Sequence, residues 1–378
     1  MEERCFSALR LLTDDSQLIL DPFMRRAYGL ARLGAGLTSP NPMVGCVIVR
    51  EGEIVGEGHH AGAGKPHAEA VALEQAGARA AGATAYVTLE PCAHHGLTPP
   101  CTEALIAAGI STVVAGMEDP NPKARGGCKF LRDNGVEVSF ASDPAPFERL
   151  NEEWLHHLRT GLPFTRVKVA LSLDGKITSA PGKRCSVSGA GGAEITMTLR
   201  SRADAVLVGA STAATDNPAL TVRDATGALA SRQPPRAILC TRSLPKVDMF
   251  TDGAGKVLIL VESCATVDEI PECATLVRYD TAGGMISALK ALSELDVRSL
   301  LVEAGPRLFS ALWQDGLIDE LVVVHAGGVF GASAPSLYTG AGQVENNRLE
   351  ARMRAVEAGI AGGDAVTVWR RAEDICEQ

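Results

Sequence analysis

The sequence predicts an α/β protein built as two successive domains, and three observations carry that expectation. The chain has 378 residues, more than one hydrophobic core usually supports. Short apolar, strand-like runs alternate with helix-like segments through both halves, the pattern of a sheet with helices layered on it. Between the halves the alternation breaks at Ser142-Asp143-Pro144-Ala145-Pro146 and again at Gly161-Leu162-Pro163, clusters typical of connections. These signals place an N-terminal extension at 1–20, a first domain at 21–145, a linker at 146–163 and a second domain at 164–372.

The first domain opens with an amphipathic helix over 22–37. Strand-like runs at 44–49 and 53–57 follow, and the Glu51-Gly52 turn between them predicts a hairpin. Next come a helix over 67–80, a strand at 83–89, a helix over 101–108, a strand at 112–116, a helix over 123–133 and a strand at 136–140. The linker carries the helical start Asn151-Glu152-Glu153-Trp154. The second domain restarts with a strand at 165–171. Further strands are expected at 205–208, 237–239, 257–261, 299–302 and 320–324, with helical segments between them. No 20–50-residue repeat is visible, which excludes a solenoid.

Composition narrows the class. Apolar residues make up 46% and charged residues 21%, the profile of a globular protein. A formal charge of −9 argues against a nucleic-acid partner, which needs clustered cations to neutralise phosphates. It leaves room for a small anionic substrate held by two or three local cations. The first twenty residues contain acids and lack a long apolar run, so no secretory signal is expected. No stretch approaches the roughly 18 apolar residues of a membrane span. Without such a signal, the ten cysteines read as reduced thiols and a metal site in a cytosolic protein.

The metal site is the strongest chemical signal. His67-Ala68-Glu69 follows Pro66 at the start of a helix. Cys92 follows Pro91, and Cys101, with eight residues between it and Cys92, follows Pro99-Pro100. One imidazole and two thiolates suit Zn2+ and leave its fourth position open for water, as catalytic zinc sites do. Bound zinc brings a water's pKa toward neutrality. Glu69 can stand beside the metal without ligating it and carry the proton from the water to a departing amine. The set matches the zinc nucleobase-deaminase signature with a longer Cys–Cys spacing. His60, His94 and His95 remain alternative imidazoles for the histidine position. Two other motifs fail: Gly62-Ala63-Gly64-Lys65 lacks the hydroxyl residue of a phosphate loop, and Gly56-Glu57-Gly58 opens no fingerprint helix.

Longer stretches carry a family resemblance. SPNPMVGCVIV (39–49), GKPHAEAVAL (64–73), TLEPCAHHGLTPPC (88–101) and EDPNP (118–122) resemble the RibD family of bifunctional riboflavin-biosynthesis deaminase/reductases. The likeness continues through VKVALSLDGKI (167–177), LRSRADAVLVGASTAATDNPALTVR (199–223) and VEAGPRLFSALWQDGLIDEL (302–321), and so covers residues 22–371. It implies a cytidine-deaminase-like N-terminal domain that hydrolyses the amine of a phosphoribosylaminopyrimidine. It implies a dihydrofolate-reductase-like C-terminal domain that reduces the ribosyl to a ribityl side chain with NADPH. Homo-oligomerisation is a further family-level expectation.

The same resemblance assigns residues. Asn41 and His60 match substrate contacts near the zinc, and His94 lies in the adjoining loop. Lys168, Asp174, Asp216, Arg200, Arg223 and Glu303 fall on motif positions of the second domain. Asp216 would manage a proton at the ribose, and Arg200 and Arg223 would clamp phosphate, since guanidinium forks match its oxygens. Asp174, Ser186, Gly209, Thr212, Gly305 and Pro306 would line the NADPH site.

Four positions depart from the family pattern. Leu97 stands where a basic residue is usual, the spaced glycines after EDPNP are compressed to Gly126-Gly127, and Gly327 replaces a proline. Arg184-Cys185-Ser186-Val187-Ser188 replaces a substrate-holding motif, with Arg184 as a phosphate contact from a new position. A second reading therefore stays open, in which the deaminase works and the C-terminal half is structural.

Overall fold

A computed structural model describes residues 21–94, 99–240, 244–267, 269–340, 344–345, 348–349 and 352–371. Two compact units divide the chain between Gly161 and Leu162.

The first unit comprises α1 (Pro22–Ala31), β1 (Gly45–Arg50), β2 (Glu53–His59), α2 (Ala68–Ala76), β3 (Thr84–Val87), α3 (Cys101–Ala107), β4 (Thr112–Ala115), α4 (Gly127–Asp133), β5 (Glu137–Phe140), α5 (Ala145–Leu150) and α6 (Glu152–Thr160). Its sheet runs β2-β1-β3-β4-β5, with β1 antiparallel to both neighbours and β3, β4 and β5 parallel. Positive φ at Glu51 and Gly52 turns the β1–β2 hairpin as a two-residue turn requires. Strand β1 is buried on both faces. Cys46 and Ile48 pack with Ala68 and Ala72 of α2, and Val47 and Val49 with Met24 and Ala27 of α1, as the period of two dictates.

Helix α1 is shorter than the periodicity predicts. The Asp21 carboxylate caps it by accepting from Phe23 N and Met24 N at 2.8 and 3.3 Å. It then tightens at Arg32–Gly34 into a 3-10 turn. Helix α4 likewise begins only after Gly126, whose φ of 97° is incompatible with a helix interior.

The segment 146–163, read from sequence as a linker, is mostly helix and packs into the first unit. Pro146 sits in the first turn of α5, where the missing N–H costs nothing, so the prolines that suggested a break instead start a helix. Phe147 and Trp154 join the core beneath α1. The Asn151 side chain accepts from Met43 N at 2.7 Å and donates to Met43 O at 3.0 Å.

The second unit comprises β6 (Phe164–Leu171), α7 (Ala190–Arg202), β7 (Ala205–Gly209), α8 (Ala210–Asp216), β8 (Arg236–Cys240), β9 (Val257–Glu262), β10 (Ala274–Tyr279), α9 (Gly284–Ser293), β11 (Ser299–Glu303), α10 (Pro306–Gln314), β12 (Glu320–His325), the small pair β13 (Val344–Glu345) and β14 (Arg348–Leu349), β15 (Met353–Ala361) and β16 (Asp364–Arg371). Nine strands form one sheet in the order β10-β9-β8-β7-β11-β6-β12-β16-β15. The strands from β10 to β12 in that order are parallel, and β16 and β15 continue antiparallel. The chain leaves β6 in one direction and returns through β11 between β7 and β6, making a crevice outside the carboxyl ends of these strands. The sequence signalled none of β10, β15 and β16. Strand β15 lies at the sheet edge with most of its residues exposed, burying only Glu357 and Ala361, and so offers no buried apolar run to detect.

One contact positions the metal-binding segment. A Cβ on Gly56 would overlap the Ala72 carbonyl, and one on Gly58 would overlap the Ala68 carbonyl, so α2 lies directly on the β2 backbone. Gly58→Ala is therefore expected to destabilise the first unit by about 1–3 kcal/mol, read as a lower calorimetric midpoint. An unchanged midpoint would show that the helix can move away freely.

Candidate active sites

Three elements converge on the metal site of the first unit. His67 precedes α2 in extended conformation, Cys92 lies in the loop after β3, and Cys101 opens α3. His67 Nδ1 is 3.2 Å from Cys101 Sγ and 3.6 Å from Cys92 Sγ, and Cys101 N donates to Cys92 Sγ at 3.4 Å. The three ligand atoms all lie within 4.8 Å of one another, a span that one Zn2+ ion at ordinary ligand distances can bridge. Hydrogen bonding from Cys101, against burial and with help from His67, holds Cys92 down at about 4. The same bond, ahead of burial, raises the Cys101 thiol; zinc would take both sulfurs as thiolates.

Glu69 sits in the first turn of α2 and is 3% exposed. Burial first, then the charge of Cys92, pushes its carboxyl above the ordinary range, as desolvation does. Asn41 Nδ2 lies 3.1 Å from His60 Nε2, and His60 Nδ1 lies 3.2 Å from the Pro66 carbonyl. Burial lowers the His60 pKa, opposed by its bond to the Pro66 carbonyl. A carbonyl can only accept, so Nδ1 carries the proton, and Nε2 accepts from Asn41. That assignment also fixes which branch of the Asn41 amide is the carbonyl. The His60 and His67 rings meet edge to face, 5.4 Å between centroids. His94 is exposed, while His95 and Leu97 lie outside the described residues.

Sequence reasoning passed over two buried carboxylates beside this site. Glu90 binds two backbone N–H groups, those of Asp119 and Cys128. Burial pushes Asp119 up to about 6, opposed by its bond from Asn121 N. Both residues stand inside the quoted motifs. Nothing in their spacing, however, distinguishes a buried carboxylate from a turn former.

In the second unit, Gly209 ends β7 as the cap of α8, and Gly305 ends the loop after β11 as the cap of α10, with Pro306 in its first turn. Strands β7 and β11 are parallel neighbours, so these two helix starts open side by side. A Cβ on Gly305 would overlap Thr212 Oγ1, which requires glycine there. Backbone N–H groups at helix starts and close backbone approach suit the diphosphate of NADPH.

Asp216 is the last residue of α8 and half-buried. Burial raises its carboxyl, against the opposing charge of Arg184. The turn beyond it is anchored by Asn217 Oδ1, which accepts from Asp248 N at 2.9 Å. Lys168 on β6 pairs in register with Glu303 on β11, and burial lowers its pKa while Glu303 opposes that shift. Asp364, unsignalled by any motif, is buried and accepts from Gly189 N at 2.8 Å at the start of α7.

Several expected contacts are committed elsewhere. Arg200 donates through Nε and Nη2 to both oxygens of Glu303, at 2.5 and 2.9 Å, and through Nη1 to Thr221 O at 2.9 Å. The fork expected to clamp phosphate is therefore engaged by Glu303, because a guanidinium this buried needs a counter-charge. Asp174, expected at the cofactor, accepts from Ser172 Oγ at 2.6 Å, Phe330 N at 3.1 Å and Gly331 N at 2.7 Å, joining the loops after β6 and β12. Arg223 lies exposed in a turn and donates to Gly227 O at 2.7 Å. Arg184 and Ser186 are exposed in the segment before α7.

Comparison with known proteins matches residues 19–117 to the cytidine and deoxycytidylate deaminase zinc-binding region and residues 163–363 to the RibD C-terminal domain. The riboflavin biosynthesis protein RibD of Escherichia coli is 41% identical over 331 residues, which cover 84% of this chain and 90% of that protein. The Aquifex aeolicus RibD is 37% identical over 92% of this chain and 98% of its own length. Among solved structures, Acinetobacter baumannii RibD superposes with a TM-score of 0.84 at 34% identity, covering 93% of this chain and 98% of that one. A Thermotoga maritima diaminohydroxyphosphoribosylaminopyrimidine deaminase/5-amino-6-(5-phosphoribosylamino)uracil reductase gives 0.80 at 32% identity over the same shares.

The Arg200–Glu303 pairing separates two roles for Arg200. Removing one partner of a buried pair strands the other's charge, so Arg200→Ala is expected to cost about 3–5 kcal/mol in the second unit's denaturant unfolding. A wild-type unfolding midpoint with a raised KM alone would instead restore the phosphate-clamp role.

Proposed function

The chain belongs to the RibD family and is a bifunctional deaminase and reductase of riboflavin biosynthesis, and from that premise we propose which of its residues perform each step. Zn2+ and NADPH are its cofactors. The convergence of three ligand atoms within 4.8 Å, with a buried Glu69 beside them, carries the deaminase assignment.

His67, Cys92 and Cys101 would hold Zn2+, which when bound would supply an acidified water as the nucleophile for the amine-bearing pyrimidine carbon. The Glu69 carboxylate would take up one proton of that water. The same carboxyl then hands the proton to the departing ammonia, so it ends the cycle as it began. Asn41, oriented by its bond to His60, positions the pyrimidine through its amide. Burial of Glu69 and His60 keeps bulk water from competing for these groups.

In the second unit, the starts of α8 and α10 bind the cofactor diphosphate, and NADPH when bound supplies the hydride for the ribose C1. Opening the ring leaves negative charge on its oxygen. Asp216, with its raised carboxyl, delivers the proton there. Lys168, in register with Glu303 at the end of β11, holds a substrate oxygen. Arg200 and Glu303 shape the pocket wall as a pair, and Asp174 fixes the loops over it. The altered segment 184–188 places Arg184 where its charge acts on Asp216, which supports a working reductase.

Two coarser features complete the reading. The eight described cysteines are all free thiols and no helix of the described residues is long and apolar enough to cross a membrane, which supports a cytosolic site of action. The nine-residue edge strand β15 leaves Val356 and Ile360 41% and 58% exposed. Edges of this kind are usually covered, which supports a homo-oligomer. Sedimentation at the mass of a single chain would remove that reading.

The division of labour is tested by following ammonia release and NADPH loss separately on the phosphoribosylaminopyrimidine. Glu69→Gln is expected to lower ammonia release by about 10²–10⁴-fold while leaving NADPH oxidation on deaminated substrate intact. Asp216→Asn is expected to do the reverse. A variant that silences both channels would show that the two units are not chemically independent. Full NADPH turnover in Asp216→Asn would take the proton role from that residue.

A further inference from the structure

Within the first unit, Glu90 has no place in the deamination chemistry, yet its side chain is 7% exposed and it lies two residues from the zinc ligand Cys92. Its Oε2 accepts from Asp119 N at 3.0 Å and its Oε1 accepts from Cys128 N at 2.8 Å. Asp119 follows β4, and Cys128 lies in the first turn of α4. One carboxylate therefore ties together three segments that are distant in sequence. Its own N–H donates to Met117 O at 3.0 Å, so the residue is held from both ends.

The clamp continues into the ligand itself. A Cβ on Gly127 would overlap the Pro91 carbonyl, so the start of α4 rests directly on the peptide unit that precedes Cys92. The compressed Gly126-Gly127 pair thus has a physical reason: the second glycine makes room for Pro91. The Cys92 carbonyl accepts from Thr102 N and Thr102 Oγ1, both at 3.3 Å. Thr102 directly follows the second ligand, Cys101. Glu90, Pro91 and Cys92 therefore lock the two sulfur ligands onto the starts of α4 and α3.

We propose that Glu90 is a positioning residue for the zinc site, holding the Cys92 backbone so that both thiolates meet the metal with His67 at fixed spacing. It does this by accepting from Asp119 N and Cys128 N. Free backbone N–H groups impose the requirement: only an acceptor on both branches satisfies them, which a carboxylate provides and an amide cannot. Groups that orient metal ligands commonly change metal affinity by about 10–100-fold when replaced.

The inference rests on the three-ligand zinc assignment, and the test keeps the two apart. Full-length wild type, Glu90→Gln, Glu90→Asp and Met24→Ala would be titrated with zinc against a chromophoric chelator, with the apo midpoint of each measured by calorimetry. Met24 is buried in the core beneath α1 and serves as a control for general loosening. Both Glu90 variants are expected to bind zinc about 10–100-fold more weakly, while Met24→Ala loses stability and keeps its affinity within about threefold of wild type. NADPH oxidation should persist in all of them, as a check on the second unit.

Wild-type affinity in either soluble Glu90 variant would overturn the proposal. An equal loss in Met24→Ala would overturn it too, because the effect would then report loosening of the unit. Failure of the wild type itself to take up zinc would instead defeat the metal assignment.

Discussion

Helix α2 carries Glu69 and is capped by His67, and its start can reach the cysteines only by lying against the β2 backbone. Gly56 and Gly58 permit that approach, and with it the helix start stands where the loops after β3 and before α3 arrive. A side chain at either glycine would lift the helix and separate an imidazole from two sulfurs that must share one ion. Metal ligation tolerates deviations of only a few tenths of an ångström. The chemistry of the first unit therefore depends on a contact that contains no functional group.

Buried charge plays a comparable part in both units, with a consistent logic. Arg200 and Glu303, Arg236 and Asp252, and the fully buried Glu320 between Arg166 and Arg370 are paired inside the second unit. Arg236 also donates to the carbonyls of Ala219, Met249 and Gly255, drawing together the loops beyond Asp216. Such pairs add little net stability over an apolar core, and breaking one is costly. Their effect is to allow one arrangement of the strands and loops they join. Glu90 does the same in the first unit with backbone N–H groups in place of a cation.

Legibility in the sequence followed the local character of each signal. The zinc trio and Glu69 were readable because proline-flanked ligands and a helix start leave a pattern within a few residues. The strands β1, β9 and β11 were readable because continuous apolar runs mark them. Helix α5 was obscured by a proline in its first turn, where the chemistry is indistinguishable from a break, whereas α6 was readable from its Asn151-Glu152-Glu153-Trp154 start. Strand β15 was obscured because an edge strand needs little apolar surface, whereas β16, inside the sheet between β12 and β15, alternates buried and half-buried residues without a continuous apolar run. Arg200 and Glu303 were each visible as residues, yet their pairing spans 103 positions and no local spacing encodes it.

The chain by itself determined two α/β units, the residue types of a catalytic zinc site and the family to which the whole belongs. Each of these follows from composition, period or ordered motifs, which short windows of sequence contain. Only the tertiary structure decided that His60 presents Nε2 to Asn41, that the Arg200 fork is taken by Glu303, that Asp174 joins two loops, and that Glu90 anchors Cys92. Those outcomes depend on which donors and acceptors burial leaves facing one another. Desolvation forces every buried charge to find a partner, and which partner is within reach is a property of the fold.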